Sequence, residues 1–174
     1  MLTIRSVQIN DSEKLYNYLS NPSVLRFSRL KPTSIEDMRK MIEELKSQEE
    51  EKKIIPYVVI HNNEQIGMIT LWHRCLNRKE GFLATWLGEE HWGKGFNKES
   101  KELFLNKLFT TYEIERVLMI IRDYNERSIS ACDKLKYISK ITGEEELEIR
   151  NFYKDKIEQN HLIFSIDRDN FLYK

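Results

Sequence analysis

The stretch "TWLGEEHWGKGFNKESKELF", residues 85 to 104, decides how the rest of the chain is read. A strand-like run, "KEGFLATWLG" (79 to 88), ends in it, a short loop follows, and an amphipathic helix is expected from about Gly95 to Tyr112. The first N–H groups of a helix have no internal partner, and glycines let an anion approach them closely. Lys94 would add a charge-assisted contact at the rim. Gly93 and Gly95 also suit a plain helix entry, so this stretch alone leaves both readings open. GxxxxGK[ST] is missing, as is GxGxxG after a first strand, which disfavours a P-loop ATPase or a dinucleotide dehydrogenase.

Upstream of this stretch, "LTIRSV" (2 to 7) reads as a strand and "NDSEKLYNYLS" (10 to 20) as a helix capped by Asn10 or Asp11. "TSIEDMRKMIEELKSQEEEKK" (33 to 53) is the clearest helix, with Ser34 and Asp37 as a capping pair and Met38, Met41, Ile42 and Leu45 on one face. "IIPYVVIH" (54 to 61) and "QIGMITLWHR" (65 to 74) form a hairpin that residues 79 to 88 extend. Downstream, Phe96, Leu103, Phe104 and Leu108 mark the inner face of the helix after the glycines. "IERVLMIIR" (114 to 122) reads as a buried strand and "NERSISACDKLKY" (125 to 137) as a helix. "YISKITGEEELEIR" (137 to 150) and "NHLIFSI" (160 to 166) read as closing strands. The order predicts one domain over residues 1–174, α+β (mixed α/β), with helices covering a twisted, mostly antiparallel sheet.

Composition narrows the function classes. Apolar residues make up 40% and charged residues 32%, with 28 basic against 28 acidic side chains, so direct nucleic-acid binding is not expected. Nothing approaches a membrane span, Cys75 and Cys132 make no disulfide framework, and four scattered histidines show no metal spacing. A cytoplasmic protein without a metal is the expectation.

Taken together, the element order, "EEHWGKGFNKESKELFLNKLF" and "NERSISACDKLKY" resemble the GNAT superfamily of acyl-CoA-dependent N-acyltransferases. The likeness points to the branch of ribosomal-protein N-terminal alanine and serine acetyltransferases and related amine acetyltransferases. It implies acetyl-CoA as cofactor, a loop whose backbone donors from Gly93 to Asn97 hold the pyrophosphate, and Asn125 and Ser128 beside the pantetheine arm. Trp86, Leu87, Trp92, Lys94 and Phe96 complete the implied cofactor site. The family's loop begins with Arg or Gln where Trp92 stands, and Asn97 replaces its terminal small residue. Lys136 replaces a glycine ahead of the aromatic Tyr137, and Cys132 stands where many relatives carry a tyrosine acid. Asn125 is equally suited to capping its helix.

On the acceptor side the resemblance implies direct acetyl transfer to a peptide N-terminus or a small-molecule amine, in a monomer or homodimer. His73 and Glu80 are the candidate bases, with Glu90 and His91 as rivals, and a water chain is the alternative. Residues 22 to 35, with Phe27, Trp72, Tyr137 and Phe152, are the candidate acceptor walls. A noncatalytic acyl-CoA-binding protein is the competing reading.

Overall fold

Apolar residues spaced two apart make Leu2–Ser6 the first strand, β1, in the computed structural model, which describes residues 1–174. It pairs antiparallel with β2 (Ile55–His61), β2 with β3 (Glu64–Cys75), and β3 with β4 (Glu80–Leu87). Between β1 and β2 run α1 (Ser12–Leu19), α2 (Pro22–Leu25) and α3 (Ile35–Glu50). After β4 the chain forms α4 (Phe96–Thr111), β5 (Arg116–Arg122) and α5 (Glu126–Asp133). It closes with β6 (Ser139–Lys140), α6 (Gly143–Phe152), β7 (His161–Asp167) and α7 (Arg168–Leu172). The seven strands lie in the order β1-β2-β3-β4-β5-β7-β6, and only β4 and β5 run parallel.

Each face of the sheet has its own cover. On one, Phe104, Leu105, Leu108 and Phe109 of α4 pack with Phe171 of α7 over Ile69, Leu71, Leu83, Val117 and Phe164. On the other, Leu15, Leu19, Met38, Ile42 and Leu45 from α1 and α3 cover Val58, Met68 and Trp86, while Ile149 and Tyr153 cover Phe82, Leu118 and Ile163. Each fully buried aliphatic or aromatic side chain contributes about 1.5–3 kcal/mol against leaving it in water. No helix is long and apolar enough to cross a membrane.

Three expectations need correcting. The strand expected over 137 to 150 is two residues of β6 followed by α6. Glu144, Glu145 and Glu146 crowd the first turn of α6, where carboxylates are stabilised by the helix dipole, and Arg150 pairs one turn back with Glu146. Leu103 is exposed, because the inner stripe of α4 runs through Ser100, Phe104, Leu105, Leu108 and Phe109. Asp11 precedes α1 but does not cap it; its buried carboxylate instead takes two hydrogen bonds from Arg5, at 2.7 and 2.8 Å, and one from Gln65.

Candidate active site

The site grows from the one parallel pair. β4 and β5 are in register at Glu80–Arg116, Gly81–Val117 and Phe82–Leu118, and there the pairing stops, although β4 continues to Leu87 and β5 to Arg122. β4 stays bonded to β3, and β5 to β7, so a wedge opens between them with about 16 Å of β4 edge free, at ~3.3 Å per residue. Gly88 N–H bonds back to Ile66 of β3 at 2.8 Å. By strand alternation, the peptide groups of Leu87 and Thr85 therefore point into the gap. The Leu87 carbonyl accepts the Trp92 indole N–H at 2.9 Å, and the Thr85 hydroxyl is buried with no partner. The β4 edge beyond Phe82, with no β5 partner, offers backbone groups to which an extended ligand could pair as an added strand.

At the open end stand the glycines. Gly93 has φ +74° and Gly95, at the head of α4, φ +83°, conformations that favour residues without Cβ. A Cβ on either would meet nothing within 4 Å, so backbone geometry and not crowding selects glycine. No side chain caps α4, which leaves its first N–H groups facing outward with exposed Lys94 and Asn97 beside them. Phe96 packs against His61, with ring centroids 4.4 Å apart. The loop is tied down by the Tyr18 hydroxyl, 3.1 Å from His91 Nε2, and by the Asn21 amide bonded to Glu89. An anion such as a pyrophosphate fits this turn through backbone donors.

Beyond β5, Asn125 accepts the Ser128 N–H at 3.2 Å and so caps α5, leaving its amide NH2 without a partner in the chain. Cys132, one turn further, packs in the main core, and burial pushes its thiol pKa up despite nearby Lys101. Lys101 shifts in the opposite direction, downward, again through burial.

The opposite face of the same strands carries a narrow cleft lined by Phe27, Arg29, Trp72, Ala84 and Trp86, with open volume of about 10 Å³, room for roughly one water. Trp86 therefore presents its indole to this face and only its backbone to the wedge. Phe27 and Trp72 stand together here as expected. Tyr137 and Phe152 do not: Tyr137 is buried against Phe171 on the other face, and Phe152 is exposed near Arg78.

The two candidate bases part company. His73, in the bulge of β3 after Trp72, lies at the mouth of the cleft with Nε2 3.0 Å from an Arg29 nitrogen. Burial, then Arg29 and Lys156, hold its pKa down to about 4, so near neutral pH the imidazole is uncharged and Nε2 accepts from the guanidinium. Glu80 lies at the closed end of the parallel pair, 1% exposed, accepting from Arg78 at 2.6 Å, Arg116 at 2.6 and 2.8 Å, and the Tyr153 hydroxyl at 2.8 Å. Burial alone would raise its pKa, but those bonds more than offset it and keep the carboxylate ionised. With both oxygens engaged, Glu80 joins β4, β5 and the end of α6 through Arg78, Arg116 and Tyr153. Glu90 is exposed at the rim, and His91 is held by Tyr18.

Two polar groups at the site escaped the reading of the sequence. Thr85 is the one hydroxyl inside an apolar strand, a signal available beforehand; Arg29 lay within the expected acceptor segment, but its lack of an acidic partner is a tertiary fact.

A parallel pair that parts beside an uncapped, glycine-headed helix sets an open strand edge next to an anion-binding turn. A model of the GNAT acetyltransferase domain matches residues 1–138. The chain belongs to the GNAT acetyltransferase family. It is 28% identical over 142 residues to an uncharacterized N-acetyltransferase, p20, of Bacillus licheniformis, covering 78% of each chain. Solved structures share the fold at low identity. FdhC, a nucleotide-linked sugar GNAT, gives a TM-score of 0.78 at 17% identity over 99% of this chain and 89% of that one. RimL, a ribosomal L7/L12 α-N-protein acetyltransferase, gives 0.76 at 17% over 95% and 90%. The Vibrio cholerae spermidine N-acetyltransferase in complex with CoA and spermine gives 0.75 at 15% over 98% of each chain.

Proposed function

We propose that the whole chain, acting as one catalytic domain, transfers an acetyl group from acetyl-CoA directly to a primary amine of a peptide N-terminus or a small molecule. The observation that carries this reading is the wedge: β4 and β5 part after Phe82 and Leu118, with the β4 peptide edge open beyond that point and the Gly93–Gly95 turn at its open end. The CoA found in the spermidine enzyme of the same fold supports the donor, and the relatives named for N-acetylation support an amine acceptor. Two free cysteines fit a reducing, cytoplasmic setting.

When bound, acetyl-CoA supplies an activated thioester carbonyl. Backbone groups of Thr85 and Leu87 hold the extended arm as an added strand edge, and the N–H groups from Gly93 to Asn97 hold the pyrophosphate, with Lys94 at the rim. Asn125 caps α5 with its oxygen and offers its free amide N–H to the arm, with Ser128 beside it. Trp92 acts through the loop, its indole bracing the Leu87 carbonyl. Water takes the amine proton: the lone pair of His73 is occupied by Arg29, and the cations Arg29 and Lys156 at the cleft mouth favour the neutral, nucleophilic amine.

Purified protein incubated with labelled acetyl-CoA and a panel of peptide and small-molecule amines should yield acetylated amine together with free CoA. Absence of both turnover and CoA-thioester binding would overturn the proposal.

A further inference from the structure

At the mouth of the cleft stands an arginine that no carboxylate of the chain pairs with. Arg29 sits over Trp72, its guanidinium carbon 5.4 Å from the ring centroid, and donates toward His73 Nε2 at 3.0 Å. Stacking and the imidazole fix its direction, yet it forms no salt bridge, and burial is the sole influence on its own pKa. The arginines at the closed end, Arg78 and Arg116, each meet two carboxylates. Arg29 remains partly exposed and so open to a ligand.

Lys156, in the loop after α6, also forms no salt bridge and acts with Arg29 on His73 of β3; further off, at His161 of β7, Glu158 opposes Arg122, Arg150 and Arg29. No Asp or Glu lines the cleft beneath Phe27 and Arg29. The neighbouring groove of about 290 Å³ between α3 and Trp72 holds Glu44, with Lys40 beside it. A site for an acceptor carrying several ammonium groups needs carboxylates to face them, and this mouth offers cations.

Resting on the acetyltransferase reading above, we propose that the acceptor is an amine that also carries an anionic group, a carboxylate or a phosphate, which pairs with Arg29, and that anion-free polyamines are poor acceptors. Arg29 is thus the specificity-determining residue and His73 the positioning residue that aims it. Trp72 pairs with Phe82, the last residue of β4 joined to β5, so Arg29 stands about two strand spacings, ~10 Å, from the wedge. Amine and anion therefore belong to one small molecule, or the anion is a side chain within the first two or three residues of a peptide. A guanidinium binds either oxyanion through paired N–H donors.

The test compares kcat/KM within matched pairs: a peptide with Asp or Asn at its second or third position, and an aminoalkyl carboxylate or aminoalkyl phosphate against an uncharged aminoalkyl analogue, with spermidine alongside. The wild-type protein should prefer the anionic member by about 20-fold or more, mainly through KM. Arg29→Gln should shrink that ratio to within about threefold, and Arg29→Lys, which keeps the charge but not the fork, should retain part of it. The larger loss among the carboxylate and phosphate arms identifies the natural anion. Equal or better use of spermidine and neutral amines, or a preference unchanged in Arg29→Gln, overturns this inference while leaving acetyl transfer standing. Acetylation of no amine at all removes the acetyltransferase reading and this one with it.

Discussion

At one end of β4, Glu80 accepts four hydrogen bonds from Arg78, Arg116 and Tyr153, while at the other the Thr85 hydroxyl is buried without a partner and the first turn of α4 has no side-chain cap. The ends are only a few residues apart on the same strand. At the closed end, charges taken from water are met within the chain, which joins β4, β5 and α6. At the open end, the β4 peptide edge has no β5 partner, the Thr85 hydroxyl no hydrogen bond and Arg29, across the strand, no carboxylate. The difference separates charges met within the chain from polar groups that are not, and Glu80 belongs to the first kind.

The largest expected effect tests the closed end. Glu80→Ala leaves two guanidinium groups without their shared carboxylate and should lower unfolding stability by about 3 kcal/mol, read from urea denaturation, since removing one partner of a buried pair costs ~3–5 kcal/mol and both arginines keep some access to water. Its isosteric counterpart, Glu80→Gln, sharpens the point: a hundredfold fall in kcat with stability unchanged would restore Glu80 as a base and break the contrast.

Next comes the open end. Gly95→Glu places a carboxylate at the anion turn and a Cβ at φ +83°, so CoA should bind at least tenfold more weakly by calorimetry, with a stability loss of about 1–2 kcal/mol. CoA affinity unchanged in a folded variant would remove the turn from the site.

The pH prediction concerns His73. Its folded pKa, about 4, lies below the ordinary 6.5, so between those values the unfolded chain binds more protons. Stability from this group is complete above about pH 6.5 and is lost as pH falls toward 4. The loss should amount to about 1–2 kcal/mol once the shift is discounted for solvent screening at a half-open mouth. His73→Gln should flatten that part of the stability curve; an identical slope in the variant assigns the acid sensitivity elsewhere. Smallest of all, Lys94→Ala should weaken CoA only about two- to threefold, because Lys94 is exposed and backbone donors do most of the holding. A loss beyond tenfold would put the side chain, and not the turn, at the centre of phosphate binding.

Much of the fold was legible because its signals are local. Residues 33 to 53 carry helical spacing and a capping serine, and Ser34 does accept the Asp37 N–H at 3.0 Å. Residues 54 to 88 alternate as strands do, and the glycines mark the head of α4. α6 is hard to see because "YISKIT" looks extended, while the helix start is signalled only by the acids behind it and by Gly143, whose φ is +69°. At the site, the glycine turn and Asn125 could be named from spacing and resemblance. Glu80 and His73 could not be told apart, since both are polar residues near strand ends. Their difference is what surrounds them: two arginines and a tyrosine for Glu80, a guanidinium against the lone pair for His73.

By itself, then, the sequence determined the helices and strands up to α5 apart from the single turn of α2, the conformations that only glycine readily takes at 93 and 95, and the family, because backbone preference and apolar period act over a few residues. Where β4 and β5 part, which carboxylate is satisfied and which arginine is left without one were decided only by the tertiary structure. Those facts depend on groups far apart in the chain, such as Glu80 with Tyr153 and Arg29 with His73, and burial and charge pairing exist only once the chain has folded around them.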